Sequence, residues 1–269
     1  MSDLVYTDEG PRDADAVVLL HGWPSGPHAW RRLAPLLAGR FRVLTPELRD
    51  PDLRAQAAAV RSLLDVLGMA RYAVVGHGHG GGVAQLLAGG EPAPDTLVLI
   101  DTVAFDETPP VGVDPRAFVE RGSVEFADLP EADVDAYVAF GAPVPDAIDL
   151  TANTTAIGAL DVPVLLLWGE DDPFIPIPVA ERLVDALGGA TLGVVPQSGH
   201  FLLDDAFDPV GVMIAEYLRV RYQGAPHGHE GIVHLQLERR PAWVDLAPYE
   251  EDDPEPAAPD AGQEVGPHA

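Results

Sequence analysis

Four short segments carry residue types able to do chemistry: His21-Gly22-Trp23-Pro24, Gly76-His77-Gly78-His79-Gly80-Gly81, Trp168-Gly169-Glu170-Asp171-Asp172-Pro173 and Ser198-Gly199-His200-Phe201. A histidine paired with a carboxylate is a proton-handling device. The carboxylate fixes the imidazole tautomer and supports its protonated form, while the second ring nitrogen takes up protons. His200 can supply the imidazole, and Asp172 or Asp101 the carboxylate. Plainer readings exist for each. Asp172 can close an Asx turn on its own backbone, and an isolated loop histidine is usually exposed and inert. In the second segment, Gly76, Gly80 and Gly81 are the small residues that a tight strand-to-helix turn requires. Gly78 at its apex adopts positive φ without steric penalty but offers no attacking atom. A dinucleotide-binding loop is a weaker reading, because no ribose-binding acid follows at the expected distance.

These segments need a scaffold, and the apolar runs around them describe one. Ala16–Leu20, Phe41–Thr45, Tyr72–Val75, Thr96–Ile100, Pro163–Trp168 and Thr191–Val195 read as strands. Ala29–Leu37, Leu53–Leu67, Pro178–Leu187 and Phe207–Tyr222 carry apolar residues at helical spacing. Alternating strands and helices imply βαβ units around a mostly parallel sheet flanked by helices. Continuous apolarity in the strands fits burial on both faces. Residues 102–160 are rich in Pro, Asp and Ala and carry Phe105, Phe118, Phe126, Tyr137 and Phe140, which suggests a small lid inserted between two strands. The expected organisation is a core of residues 1–101 and 161–223, a lid of 102–160, and an acidic tail of 224–269. The tail allows one strand, Ile232–Leu237, and is otherwise expected to be disordered and solvated. Its His227, His229 and His234 have loosely metal-like spacing but no rigid scaffold, so no metal site is expected.

Composition narrows the function. The 269 residues are 47% hydrophobic, enough for a substantial core, and no apolar run is long enough to span a bilayer. The N-terminus lacks a secretion-signal pattern, so a cytoplasmic location is the expectation. Cysteine is absent, which excludes disulfides and thiolate catalysis. A net charge of −27 argues against nucleic acid and anionic membrane partners. All 16 basic residues are arginine.

In order, the four segments resemble the α/β-hydrolase superfamily over roughly residues 4–222. The resemblance implies an α/β-hydrolase fold in which Gly78 stands where the elbow nucleophile G-x-S-x-G has serine. It further implies that Asp172 is the acid, His200 the base, and Trp23 and His79 the donors of two backbone N–H groups to an oxyanion hole. His21, His77 and Ser25 fall on the same loops and are read as pocket residues. Of the serines, Ser25 is read as structural because the fold aims no base at it, and Ser198, on the same loop as His200, as the cap of a turn. The run Gly76-His77-Gly78-His79-Gly80-Gly81 is also similar to the H-S-H-G-G elbow of cofactor-independent 2,4-dioxygenases that cleave 3-hydroxy-4-oxoquinolines. That resemblance implies a histidine base supported by an aspartate at the place of Asp101, and no acyl transfer. The dioxygenases keep serine where this chain has Gly78, and residues 102–160 contain no tryptophan to match their lid aromatic.

Three functions compete. The first is a cofactor-free, non-hydrolytic enzyme in which His200 deprotonates a small apolar or aromatic acidic substrate, with dioxygenase-, lyase- or cyclase-like chemistry to follow. The second is an inactive hydrolase homologue that binds a small ligand or a protein partner. The third is hydrolysis by water that His200 activates. No cofactor is implied, and oligomeric state is not encoded in any motif of the chain.

Overall fold

The computed structural model describes residues 4–106, 114–123, 130–139, 145–160 and 162–222. Seven strands form one sheet: β1 Tyr6–Glu9, β2 Ala16–Leu20, β3 Arg42–Pro46, β4 Tyr72–His77, β5 Thr96–Ile100, β6 Val164–Gly169 and β7 Thr191–Val195. Their order is β1-β3-β2-β4-β5-β6-β7, with β1 antiparallel to β3 and all other pairs parallel. The six apolar runs identified in the sequence are the six parallel strands. The edge strand β1 alternates half-buried and exposed residues and has no continuous apolar signal.

Burial on both faces explains the unbroken apolar runs. Ala16, Val18 and Leu20 of β2 point into one core layer and Val17 and Leu19 into the other. Helices α2 Leu53–Val66, α3 His79–Ala88 and α7 Ile177–Leu187 cover the first layer. Helices α1 Leu33–Ala38 and α9 Phe207–Tyr222 cover the second. Asp52 caps α2 by accepting the Arg54 N–H at 2.8 Å, the N-cap role for which a short carboxylate side chain is suited.

The segment read as one helix over Ala29–Leu37 is divided. A 3-10 turn spans Pro27–Trp30 and α1 begins only at Leu33; Trp30 and Leu33 are both buried. Among the described residues of 102–160 there are three helices: α4 Pro115–Gly122, α5 Glu131–Ala139 and α6 Thr151–Gly158. Between β7 and α9 lies a single turn, α8 Leu202–Asp205. The tail from 224, with the Ile232–Leu237 strand and its three histidines, lies outside the described residues, as do Phe126 and Phe140. Among the described residues, no helix is long and apolar enough to cross a membrane.

Candidate active site

Parallel strands all deliver their C-terminal ends to one rim of the sheet, and loops after those ends are where α/β sheets place ligands. Here the loops after β2, β4, β5, β6 and β7 carry His21–Trp23, Gly78, Asp101, Asp172 and His200 respectively. The topology alone therefore gathers residues spread over 180 positions of sequence.

The turn after β4 is tight. Gly78 precedes α3 with φ 53° and ψ −121°, a conformation that side-chain-bearing residues seldom adopt. The start of α3 passes so near the end of β2 that a β-carbon on Gly80 would collide with the Leu20 carbonyl oxygen. Glycine at 80 is thus required by packing, and glycine at 78 is suited by conformation.

His200 is held on all sides and is only 1% exposed. Its Nδ1 lies 2.8 Å from Asp172 Oδ2, so Nδ1–H donates and Nε2 keeps the lone pair. The other Asp172 oxygen accepts the backbone N–H groups of Phe174 and Ile175 at 2.7 and 3.0 Å. Asp172 therefore does close a turn on its own backbone and orients the imidazole as well. Asp205 fixes the same loop by accepting the Gly199 N–H at 2.7 Å. The Nε2 side of the ring faces Gly78: a β-carbon built there would be 3.3 Å from Nε2.

Asp101, the alternative acid, does not take the imidazole. Its Oδ1 accepts the Gly169 N–H at 2.8 Å, tying the end of β5 to the end of β6. Burial, followed by the charge of Asp172, pushes its carboxyl well above the usual range, so Asp101 is held as the neutral acid.

The other histidines divide by what their rings touch. His21 donates from Nδ1 to the Gly22 carbonyl and accepts the Leu48 N–H on Nε2, both at 3.0 Å. His77 donates from Nε2 to the His200 carbonyl at 2.7 Å, which anchors the backbone of the base. Both were read as pocket residues, yet the paired nitrogens serve the loops. The ring of His79 has no hydrogen-bond partner among the described residues. Burial keeps all three neutral, lowering His21 to about 4 and His77 and His79 to about 3. Ser25 is fully buried, and its hydroxyl is likewise without a partner. It does not border the cavity described next.

A cavity of about 10 Å³ beside the β2 loop is lined by His21, Gly22, Trp23, Leu48, Gln56, His79 and Pro145, and by neither Gly78 nor His200. That is room for about one water-sized atom. Trp23 and His79, the residues named for an oxyanion hole, both border it. His200 itself is enclosed by aromatic rings. Phe118 and Phe174 stack at 3.9 Å, and each stands edge-on to the imidazole, at 5.7 and 5.5 Å. Phe201 lies 5.4 Å from it, and Trp23 packs edge-on against Phe118 at 5.1 Å. The aromatic Phe118 comes from α4 of the inserted segment, and the Gly122 carbonyl of the same helix accepts the Phe201 N–H at 3.3 Å.

Sequence reasoning did not single out Phe174, Gln56, Leu48 or Pro145 as site residues. Their places follow from loop paths that no short motif encodes. Phe118 was legible only as a lid aromatic. A sharper signal was present in Asp114-Pro115, an N-cap and first-turn pair that starts α4 and so fixes which face Phe118 occupies.

A family model described as the alpha/beta hydrolase family matches residues 17–213. Among curated proteins, a 2-hydroxy-6-oxononadienedioate/2-hydroxy-6-oxononatrienedioate hydrolase of Paraburkholderia xenovorans is 25% identical over 261 residues. The match covers 80% of this chain and 90% of that protein. Among solved structures, a lipase-like protein of Acinetobacter baumannii superposes with a TM-score of 0.71 at 19% identity, covering 84% of this chain and 93% of that one. A meta-cleavage product hydrolase of Pseudomonas fluorescens superposes with a TM-score of 0.69 at 20% identity, covering 80% and 94%.

Proposed function

Since the chain belongs to the alpha/beta hydrolase family, we propose that it keeps the family's base and has given up its nucleophile. In this reading Gly78 occupies the nucleophile's position, and the protein is a cofactor-free enzyme that deprotonates a small apolar or aromatic acidic molecule. The observation that carries it is His200, with Nδ1 bonded to Asp172 at 2.8 Å and Nε2 directed at an apex that bears no side chain. The substrate hydroxyl gives its proton to Nε2, its electron pair stays on oxygen, and Asp172 stabilises the imidazolium. Backbone N–H groups of Trp23 and His79 then face the new anion. The stacked Phe118 and Phe174 favour an aromatic body.

The anion's fate is non-hydrolytic: it attacks dioxygen, expels a group or cyclises. Hydrolysis by a water that His200 activates is a second reading, favoured by the similarity to the Paraburkholderia hydrolase. A dicarboxylate of the kind in that relative's name is a poor fit here, because no cationic residue lines the described cavity. An inactive ligand-binding homologue is the third.

The experiment is turnover of 3-hydroxy-4-oxoquinoline and other aromatic enols by the parent and by His200→Ala, with oxygen uptake and products measured. The expected result is turnover that His200→Ala abolishes and that a serine-directed fluorophosphonate leaves unchanged. Equal rates in the two proteins would defeat the reading. Turnover of esters instead of enols would move the case to hydrolysis.

A further inference from the structure

His200 is only 1% exposed, and the cavity beside the β2 loop is lined by neither His200 nor Gly78. The space on the aromatic side of the imidazole is taken by the ring of Phe118, which is wholly buried and centred 5.7 Å from it. That ring lies on Phe174 with its centre 3.9 Å away and the two planes 9° apart. It comes from α4 of the inserted segment and not from the sheet scaffold. Among the described residues α4 makes one hydrogen bond to the core, from the Phe201 N–H to the Gly122 carbonyl at 3.3 Å, while its Arg116 pairs with Asp135 of α5.

Resting on the base reading above, we propose that the Phe118 ring holds the place of the substrate. The substrate is then a single electron-poor aromatic ring with an acidic hydroxyl, which stacks on Phe174 in place of Phe118.

The stack selects this class. Phenyl faces are both negative, and pairs of such rings usually keep their centres about 4.5–7 Å apart. Phe118 and Phe174 are closer than that. A ring drained of electrons by withdrawing substituents suits so close a face-to-face contact better than a second phenyl does. The same substituents acidify a ring hydroxyl, which brings it toward the range in which a histidine can take its proton. The place that Phe118 vacates is one ring in size, so a single ring fills it. Until the ring leaves, only the fraction of molecules with the slot open can bind, and the apparent affinity falls by that fraction.

The test uses two rings of like size with no proton to give, nitrobenzene (electron-poor) and anisole (electron-rich). Affinities are measured on the full chain by titration calorimetry. Nitrobenzene binding tightens about tenfold in Phe118→Ala and about threefold in Phe118→Leu, which keeps an apolar side chain in α4 should the alanine variant fail to fold. Anisole gains no more than about twofold, and adding Phe174→Leu to either variant abolishes the difference between the probes. The proposal is overturned if nitrobenzene gains nothing in the folded variants, if anisole gains as much, or if the difference survives without the Phe174 ring. Bound 4-nitrophenol in Phe118→Ala reads the base separately. Phenolate that becomes neutral on adding His200→Ala supports the base, and neutral phenol in both proteins defeats the base reading while the ring slot stands.

Discussion

The Nε2 atom of His200 lies 3.3 Å from the point where a β-carbon of residue 78 would stand. That spacing is tighter than most real β-carbon contacts, so the imidazole occupies part of the room a side chain at Gly78 would take. With φ at 53°, the backbone is in a conformation that glycine adopts freely and other residues adopt at a cost.

Gly78→Ser should therefore fold, with a stability lower by about 1 kcal/mol. His200 must retreat by a few tenths of an ångström to accept the hydroxyl. The variant is expected to gain hydrolysis of p-nitrophenyl butyrate and labelling by a fluorophosphonate at residue 78. A folded variant inert to both would mean that the oxyanion groups or the dyad are not aligned for acyl transfer.

Asp172→Asn should disable the base while leaving it in place. The asparagine oxygen can still accept the Phe174 and Ile175 N–H groups, but its amide then faces His200 Nδ1 with a donor. The imidazole responds by moving its proton to Nε2, which removes the lone pair from the side facing Gly78. Turnover should fall by about 10⁴, the scale set by wrong-tautomer substitutions in other dyads. Asp101→Asn, on the Gly169 N–H, should spare the rate of proton transfer far more.

Arg31 joins the inserted segment to the core through a buried network. Its guanidinium donates to Asp204 at 2.6 Å, to Asp133 of α5 at 2.9 Å and to the Tyr137 hydroxyl at 3.3 Å, while Tyr137 donates to Asp204. Asp204 and Tyr137 are almost wholly buried. Arg31→Met leaves Asp204 as a buried charge without its cation, and should cost about 3 kcal/mol in chemical denaturation. A loss under 1 kcal/mol would show that water reaches Asp204.

Acid should destabilise the protein through its neutral histidines. His21, His77 and His79 have folded-state pKa values of about 4, 3 and 3, below the ordinary 6.5. The unfolded chain thus binds up to three more protons than the native one below pH 6.5. Their stabilisation is complete above that pH and is lost as pH falls from 6.5 toward 4 and 3. The three histidines should contribute about 4 kcal/mol per unit to the slope of unfolding free energy against pH near pH 5.5, at about 1.4 each, and the proton Asp101 holds in the native state offsets about one histidine's share. His21→Gln should reduce the histidine contribution by about a third. A flat profile between pH 5 and 6.5 would contradict the burial of these rings.

The strands were legible because burial on both faces leaves runs such as Val17–Leu20 and Leu97–Ile100 unbroken. His200 with Asp172 was legible because the fold places loop residues by strand order, and order survives in sequence. Choosing Asp172 over Asp101 was not, since both follow apolar strands. That choice is made in space, where Asp101 meets the Gly169 N–H. Nor was the distinction among His21, His77 and His79 legible. Three similar residues differ only in which backbone group lies near their rings, and that depends on loop geometry from Leu48 to His200. The edge strand β1 gave no signal because half of it faces water.

The central claim is that His200 is a working base over a nucleophile-free apex. The most direct measurement is the absorbance of bound 4-nitrophenol, whose phenolate is yellow and whose neutral form is not, at a pH one unit below its own ionisation. The parent should hold it as phenolate, and His200→Ala should hold it neutral. Identical spectra for the two bound forms, or a parent that binds the probe only as the neutral phenol, would contradict the account.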